Sequence, residues 1–416
     1  MNAVNAPKGA GKTLLWTLAL WASLSAGNAH ALTQEITASF RPDPSNPNVN
    51  QFVNTTEQSG ICPWHIPAYC KANGLFTIRT DYLRAVNNGP ILANHENPRQ
   101  GAMWKVPSQW RDVLVTHAST GKTETVQMRI AGIGHRWNIN RPPGVGAWQR
   151  PDNTWSNMWR HAPSPCQGVN YLAASTYYVL FFWLVPENAG ICNRVPSHDI
   201  AYFSYSNTEY AYAIQTPNPL KMAAGEYTGS ITYTVGPGAD FDFGDVMIPN
   251  DNQLTFNVTL DVDHQLKVEV PPGGNRIQLE PQGGWQAWLN NGRKPSRLFR
   301  NQSVNLWASS PFKMTLECPE PMGNTCNMRN AAGHQVPLDI AVTLPVGLTD
   351  AAGRPVNRLP LTLDGSGTEL FQPSRFVDRK PSTLHFEVKA DAVEQMLEQP
   401  GSTYSGTATV VWDSEV

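Results

Sequence analysis

The residues best suited to chemistry lie between His135 and His161, where arginines and tryptophans recur close together. This segment holds a single acidic residue, Asp152, and residues 142–144 (Pro-Pro-Gly) break it into loops. Rigid aromatic rings beside guanidinium groups are typical of recognition surfaces, because they add contact area at low entropic cost. Paired hydrogen bonds from arginine would also suit a carboxylated sugar such as a sialic acid. The candidate binding residues are Arg136, Trp137, Arg141, Trp148, Arg150, Trp155, Trp159 and Arg160.

These residues also allow a structural interpretation, because tryptophans of β-sandwiches are often core residues that arginines cover. Catalytic motifs are missing from the sequence: no G-x-S-x-G, no H-E-x-x-H and no complete phosphate-binding loop occurs. Asp240, Asp242 and Asp245 resemble part of a calcium loop, but an EF-hand needs glycine where Asp245 stands. We therefore expect no catalytic residue, no metal ion and no cofactor.

The six cysteines favour disulfide bonds over a metal site. Cys62 and Cys70 are close neighbours, and so are Cys318 and Cys326, which makes sequential pairing the economical choice. That pairing joins Cys62 to Cys70, Cys166 to Cys192 and Cys318 to Cys326. A metal site at Cys62, His65 and Cys70 is the alternative, but it lacks a fourth ligand at a usual spacing.

Disulfides also fit the beginning of the chain, which has the pattern of a secretory signal peptide. Lys8 and Lys12 precede the apolar stretch Leu14–Leu24, and Ala29-His30-Ala31 matches a cleavage site. Residues 1–31 are therefore expected to be removed. The 31 basic residues less Lys8 and Lys12 leave 29 against 33 acidic ones, a net charge of −4. Such a balance gives no reason to expect a nucleic acid as partner.

Alternating apolar residues predict an all-β protein. The clearest run is Leu254–Val262, and shorter runs follow at Leu266–Val270 and Leu384–Val388. The apolar stretch Tyr177–Val185 is half as long as a membrane helix requires and predicts a strand buried on both faces. Asp391–Leu397 is the best candidate for a helix. We expect two tandem immunoglobulin-like, antiparallel β-sandwich domains.

A weak internal repeat suggests where the first domain ends. Residues 225–232 (Gly-Glu-Tyr-Thr-Gly-Ser-Ile-Thr) resemble residues 402–409 (Ser-Thr-Tyr-Ser-Gly-Thr-Ala-Thr). If both segments are closing strands, the first domain spans residues 32–235. The connector then spans residues 236–251, and the second domain spans residues 252–416.

The C-terminal segment Pro400–Asp413 resembles the last strand of chaperone–usher pilus subunits, in which a glycine and a tyrosine lead into an alternating strand. Ile36–Phe40, with Phe52–Asn54 and Ser59–Cys62, also resembles exported fimbrial proteins. The resemblance implies that the C-terminal domain is a pilin-like sandwich lacking its last strand, which leaves an apolar groove. A periplasmic chaperone would fill this groove first, and the donor strand of the next pilus subunit would replace it.

The same resemblance assigns roles to the C-terminal residues. Ala408, Val410 and Trp412 would point into the core of the final strand and form the edge that pairs with chaperone or donor strand. The carboxylate of Val416 would be held by basic residues of the chaperone. The outer-membrane usher is a further implied partner.

Roughly 200 residues precede the pilin-like part, as in two-domain tip adhesins. The resemblance therefore implies a non-enzymatic adhesin, exported through the periplasm to the pilus tip, whose N-terminal domain binds a host or surface receptor, expected to be a glycan. Ile36, Ala38 and Phe40 could be a donor strand, but we favour the first strand of the adhesin domain. The alternative function is a secreted carbohydrate-binding or hydrolytic sandwich protein without a pilus.

Overall fold

The fold is taken from a computed structural model that describes residues 32–140, 146–149, 154–292 and 294–414. The predicted signal peptide, residues 1–31, lies outside the described residues. No helix in these ranges is long and apolar enough to cross a membrane.

Strands dominate the described chain, as the alternating sequence patterns predict. The strands are β1 Leu32–Phe40, β2 Val53–Asn54, β3 Phe76–Thr80, β4 Ala85–Asn87, β5 Ala102–Trp104, β6 Arg111–His117, β7 Thr123–Asn138, β8 Gln167–Ala174, β9 Tyr178–Leu184, β10 Cys192–Arg194, β11 Ser204–Gln215, β12 Gly225–Thr234, β13 Met247–Pro249, β14 Gln253–Val262, β15 Leu266–Glu269, β16 Glu280–Pro281, β17 Leu298–Ala308, β18 Lys313–Glu317, β19 Pro321–Met322, β20 Thr325–Arg329, β21 Gln335–Thr343, β22 Leu348–Asp350, β23 Leu359–Pro360, β24 Phe371–Pro373, β25 Val377–Val388 and β26 Thr409–Asp413. The helices are α1 Ile61–Trp64, α2 Pro67–Asn73, α3 Trp155–Arg160, α4 Trp285–Asn291 and α5 Ala390–Leu397. Short 3-10 turns lie at Pro98–Gln100, Gly146–Trp148 and Pro219–Lys221.

One curled sheet of twelve strands surrounds the first core. Its main order is β13-β4-β11-β7-β6-β12-β14-β1-β2; β3 pairs with β11, and β9 joins β7 to β8. β1 runs parallel to β14, from Leu32 beside Leu254 to Phe40 beside Val262. The sheet is therefore mixed, whereas antiparallel strands alone were expected from the sequence. Alternation along β1 buries Ile36, Ala38 and Phe40 to 4% exposure or less, so this strand is a wall of the first domain.

The strand β9 is buried on both faces, as its apolar sequence predicts. Phe181 and Trp183 point into the first core. Phe182 faces the opposite side, where it packs in a smaller cluster with Ile61 of α1. The disulfide between Cys62 and Cys70 joins α1 to α2, so that this short helical pair is held over the second face of the sheet.

The second domain is a two-layer sandwich. One layer has the order β15-β17-β25-β21-β20-β19, and outside it the described chain has two two-stranded sheets, β18–β26 and β22–β24, which the bridge between Phe312 and Phe371 links. Between them lies a second core of alternating inward residues, among them Val304 on β17, Phe386 on β25 and Ile340 on β21. The predicted helix at residues 391–397 is α5, whose Ala392 and Val393 pack into this core.

The expected domain boundaries are wrong. The strand β14 was expected to belong to the second domain, residues 252–416. It pairs instead with both β12 and β1 and buries its alternate side chains in the first core. The expected connector, residues 236–251, also belongs to the first domain, because Phe241 and Phe243 are buried there and β13 pairs with β4. The boundary therefore falls between Val262 and Leu266. β12 is not a closing strand, since β14 follows it and completes the sheet.

The three sequential disulfides are confirmed: Cys62–Cys70, Cys166–Cys192 and Cys318–Cys326 are all bonded. Each disulfide lies within one domain.

The three aspartates that resemble part of a calcium loop form ion pairs with arginines instead. Asp242 and Asp245 pair with Arg99, and Asp240 pairs with Arg111.

A histidine with a lowered pKa is buried in the first core. His135 is fully buried, stacks on Tyr205 with ring centres 4.6 Å apart, and shares a hydrogen bond of 3.1 Å between its Nδ1 and the Thr208 hydroxyl. The Thr208 hydroxyl already donates to the carbonyl of Leu83 at 2.8 Å, so Nδ1–H of His135 is the donor. Desolvation lowers the pKa of His135 from 6.5 to about 3.

We predict that acid weakens the first domain through His135. Between pH 6.5 and about 3, the unfolded chain binds a proton here that the folded chain does not, so the free energy of unfolding falls as pH falls. Denaturant unfolding at pH 7 and pH 4.5 should differ by on the order of 2 kcal/mol through this group. His135→Phe should reduce that difference, whereas substitution of the exposed His198 should not. An unchanged pH dependence in His135→Phe would contradict the prediction.

Candidate functional site

An open apolar groove runs along the second domain between β26 and the chain segment from β15 to β16. Its volume is about 470 Å³. Ala408, Val410 and Trp412 form one wall, and the floor belongs to the second core. None of the described residues that line the groove is charged. The lining residues are Val268, Val270, Gly274, Asn275, Ile277, Leu279, Gln302, Val304, Met328, Leu338, Leu384, Phe386, Tyr404, Ser405, Gly406, Thr407, Ala408, Val410 and Trp412.

The wall residues are only half-buried, although they belong to the core by position. Ala408, Val410 and Trp412 pack against the second core without being enclosed by it. The Trp412 ring lies 5.7 Å from that of Phe312, centre to centre. On the opposite wall Val268, Ile277 and Leu279 are likewise half-buried, so both walls present apolar surface to the opening.

The backbone of β26 has hydrogen bonds on one edge. In the part of the chain that the structure describes, β18 is the strand that pairs with β26, in antiparallel register from Lys313 beside Asp413 to Glu317 beside Thr409. The amides of Met314 and Leu316 donate instead to the carbonyls of Thr368 and Thr362. The residues opposite those two therefore form non-hydrogen-bonded pairs with β18.

Two residues of β26 form these non-hydrogen-bonded pairs: Trp412 lies opposite Met314, and Val410 lies opposite Leu316. In an antiparallel ladder, the N–H and C=O groups of a non-hydrogen-bonded pair point away from the partner strand. The backbone N–H and C=O groups of Val410 and Trp412 thus point toward the groove. The groove offers apolar side chains and, along one side, backbone donors and acceptors in strand geometry.

The chain leading into β26 is fixed in place. Ser405 and Arg329 exchange two backbone hydrogen bonds of 2.9 and 3.0 Å. The Tyr404 hydroxyl lies 2.7 Å from Nδ1 of His334. Gly406 packs so closely against β20 that a Cβ atom there would meet the Asn327 carbonyl oxygen at 2.3 Å. The segment that leads into β26 is therefore held by the edge of β20, and β26 itself by β18.

Such a groove can bind an extended strand. A strand inserted beside β26 would pair with its free backbone groups and place alternate apolar side chains between the two walls. The sequence analysis named Ala408, Val410, Trp412 and Val416 for this edge; Val416 lies outside the described residues. It missed the opposite wall, although the alternation of Leu266, Val268 and Val270 was visible.

The predicted receptor-binding tryptophans are core residues instead. Trp137, Trp148 and Trp159 are fully buried, with the rings of Trp148 and Trp159 5.0 Å apart and edge to face. The Trp159 ring also stacks on Trp183 at 5.6 Å. Because these side chains do not reach the surface, their assignment to a receptor-binding surface was wrong, and the structural interpretation holds for them.

The other predicted residues are accessible or undescribed. Arg136 is exposed on the outer face of β7, with its guanidinium 4.0 Å from the Tyr178 ring centre. Arg160 is exposed at the end of α3, and Trp155 at its start is half-buried. Arg141 and Arg150 lie outside the described residues. The structure thus leaves Arg136, Trp155 and Arg160 available to a ligand but does not bring them together in one described pocket.

We predict effects of different size for Arg136 on β7 and for Trp148 in the 3-10 turn Gly146–Trp148. Trp148→Ala should lower the free energy of unfolding of the first domain by about 3–5 kcal/mol, because it leaves a large cavity in the aromatic core. Arg136→Ala should lower it by no more than about 1 kcal/mol, the contribution of an exposed cation–π contact. Denaturant unfolding of the two variants measures both values. Equal stability of Trp148→Ala and the unmodified chain would contradict the burial described here.

Comparisons with known proteins find similarity among solved structures. No family model and no curated protein matches the chain. CfaE, the adhesive subunit of CFA/I fimbria of enterotoxigenic Escherichia coli, is 10% identical over 92% of each chain, with a TM-score of 0.23. The CsuC–CsuE chaperone–tip adhesion subunit complex, from archaic chaperone–usher Csu pili of Acinetobacter baumannii, is 10% identical over 92% of this chain and 98% of that one, with a TM-score of 0.22. Both similar structures contain an adhesive or tip subunit of a fimbria or pilus.

Proposed function

We propose that this chain is the tip adhesin of a chaperone–usher pilus. In this proposal the second domain accepts a strand from a periplasmic chaperone, which the strand of the next subunit then replaces, and the outer-membrane usher is a further partner. The first domain binds a receptor on a host or on another surface. The observation that carries the proposal is the free edge of β26 beside an apolar groove.

Physical chemistry supports an occupied groove as the working state. Buried backbone groups without partners, and open sheet edges generally, favour pairing with another strand. The groove of about 470 Å³ has the two features that strand addition uses: backbone groups for pairing and apolar pockets for alternate side chains. A secreted sandwich protein that works alone would need neither feature.

The use of β1 supports a place at the end of the pilus. A subunit in the middle of the pilus must both accept a strand and donate one from its N-terminus. Here Leu32–Phe40 is paired with β14 along its whole length and with β2 near its end. Withdrawing β1 would expose Ile36 and Phe40 and open the first core. A chain that accepts a strand and keeps its own N-terminal strand is suited to be the last subunit.

The receptor-binding role is proposed for the first domain because the second is occupied by pilus assembly. Exposed Arg136 and Arg160 remain candidate residues there, together with the half-buried Trp155. No catalytic role is proposed. The carboxylate of Val416 is proposed to bind basic residues of the chaperone, which would set the register of the incoming strand.

We predict that a donor strand stabilises the second domain. Residues Leu32–Val416 would be extended by a short turn and a strand of about ten residues with three inward-facing apolar side chains. At about 1.5–3 kcal/mol for each buried side chain, the unfolding transition of the second domain should rise by at least about 10 °C. Differential scanning calorimetry measures the shift, and size-exclusion chromatography should show less aggregate.

The matched control carries Asp at the three inward positions of the same fused strand and should give no shift. A second control lacks the segment from Thr409 onward, which removes the edge that the fused strand must pair with. The proposal fails if the unmodified mature chain is monomeric, unfolds cooperatively and gains nothing from the apolar donor.

A further inference from the structure

A second cavity lies in the first domain, at the end where the chain passes into the second domain. Its volume is about 460 Å³, within the range of small-molecule sites. Four segments form it: β1, the loop that joins β1 to β2, β2 itself, and the end of β11 with the turn after it. The lining residues are Ala38, Asn50, Gln51, Phe52, Asn54, Ile214, Gln215, Thr216, Pro217 and Asn218.

The lining of this cavity is uncharged, like that of the groove in the second domain, but it is rich in amides. Five of the ten lining side chains are amides, and none is ionisable. An amide offers both a donor and an acceptor, so a ring of amides suits ligands whose groups do both, which hydroxyl groups do. An anionic ligand would find no cation here to compensate for its desolvation.

Two of the amides are positioned by the fold. The Asn54 amide donates to the Tyr212 hydroxyl at 2.8 Å, and that hydroxyl donates to the Thr56 hydroxyl at 2.7 Å. The carbonyl oxygen of the Asn218 side chain accepts from the amide of Leu220 at 3.1 Å. Polar groups held in this way keep their free sides pointed in fixed directions, which favours selective binding.

Asn50 carries an unused acceptor. Its side-chain nitrogen lies 3.5 Å from the Pro47 carbonyl, while its Oδ1 is buried and has no hydrogen-bond partner among the described residues. A buried acceptor without a donor is costly, and a ligand hydroxyl would remove that cost. Phe52 adds an aromatic ring, which its edge-to-face packing on Phe40, with centres 6.3 Å apart, holds in place.

We propose that this cavity, the amide pocket, binds a neutral saccharide. Sugar hydroxyls would pair with the amides, and the C–H face of a sugar ring would rest on Phe52. The inference deepens the adhesive half of the proposed function and rests on it, because it names the receptor class. It differs from the carboxylated sugar that the arginines of residues 135–161 suggested.

The test is saturation-transfer NMR and titration of the purified mature chain with defined sugars. The probes are methyl glycosides of glucose, galactose, mannose and N-acetylglucosamine, with N-acetylneuraminic acid and glucuronic acid as anionic comparators. At least one neutral glycoside should bind, and the anionic sugars should bind more weakly. Asn50→Ala and Gln215→Ala should each lower the affinity by about three- to tenfold, the effect of one lost hydrogen bond.

Asn48→Ala is the matched control, because Asn48 lies in the same loop, is exposed and does not line the pocket. Its affinity should stay within about twofold of the unmodified chain. The inference is overturned if no neutral glycoside binds, if the anionic sugars bind better, or if Asn50→Ala binds as Asn48→Ala does. Strand binding by the second domain is measured separately: a chain that accepts a donor strand but no sugar keeps its pilus role and loses only this pocket.

Discussion

The open edge of β26 is the constraint on which the rest of the second domain depends. Val410 and Trp412 direct their backbone groups away from β18, and their side chains stand half-buried over the core. Desolvated backbone groups must find partners, and apolar walls must be covered. The strand β26 is held by the ladder to β18, and the segment before it by the bonds between Ser405 and Arg329 and by the anchored Tyr404. The strand β26 is thus fixed by β18 along one edge and accessible along the edge that faces the groove, where another strand would enter.

The first domain meets the same constraint with its own chain. β14 would also expose an edge, but β1 lies along it in parallel register over nine residues. This pairing joins parts of the chain more than 200 residues apart in sequence, so the first domain is complete only when β14 has formed. One chain thus contains a first domain whose β14 edge is covered by β1 and a second domain whose β26 edge faces an apolar groove. In the proposed function, this asymmetry suits a terminal subunit, because the chain would receive a strand while β1 stays in its own domain.

Local patterns in the sequence predicted local structure well. The alternation in β14, the doubly buried strand β9, the helix α5 and the three disulfides all follow from spacing and composition, which report short-range constraints. Partners distant in sequence were not predictable in this way. The repeat of residues 225–232 at 402–409 reflects similar strand chemistry, yet β12 is central in its sheet and β26 is at an edge.

The aromatic residues show the same limit. Trp148 and Trp159 stand among arginines in sequence, but the 3-10 turn Gly146–Trp148 and the helix α3 place both tryptophans in the core, while Arg136 and Arg160 stay outside. No periodicity in an irregular segment reveals which side chains face the core. The amide pocket was equally invisible, because its walls come from residues 38–54 and 214–218, which only the pairing of distant strands brings together.

Residue-resolved amide hydrogen exchange along β26 tests the central claim most directly. In the mature chain without a donor, the amides of Thr409 and Val411, which face β18, should exchange slowly, and those of Val410 and Trp412 should exchange quickly. With an apolar donor strand bound, all four should be protected. Uniform protection of the four amides in the chain alone would contradict the account, because it would mean that the edge of β26 is already paired.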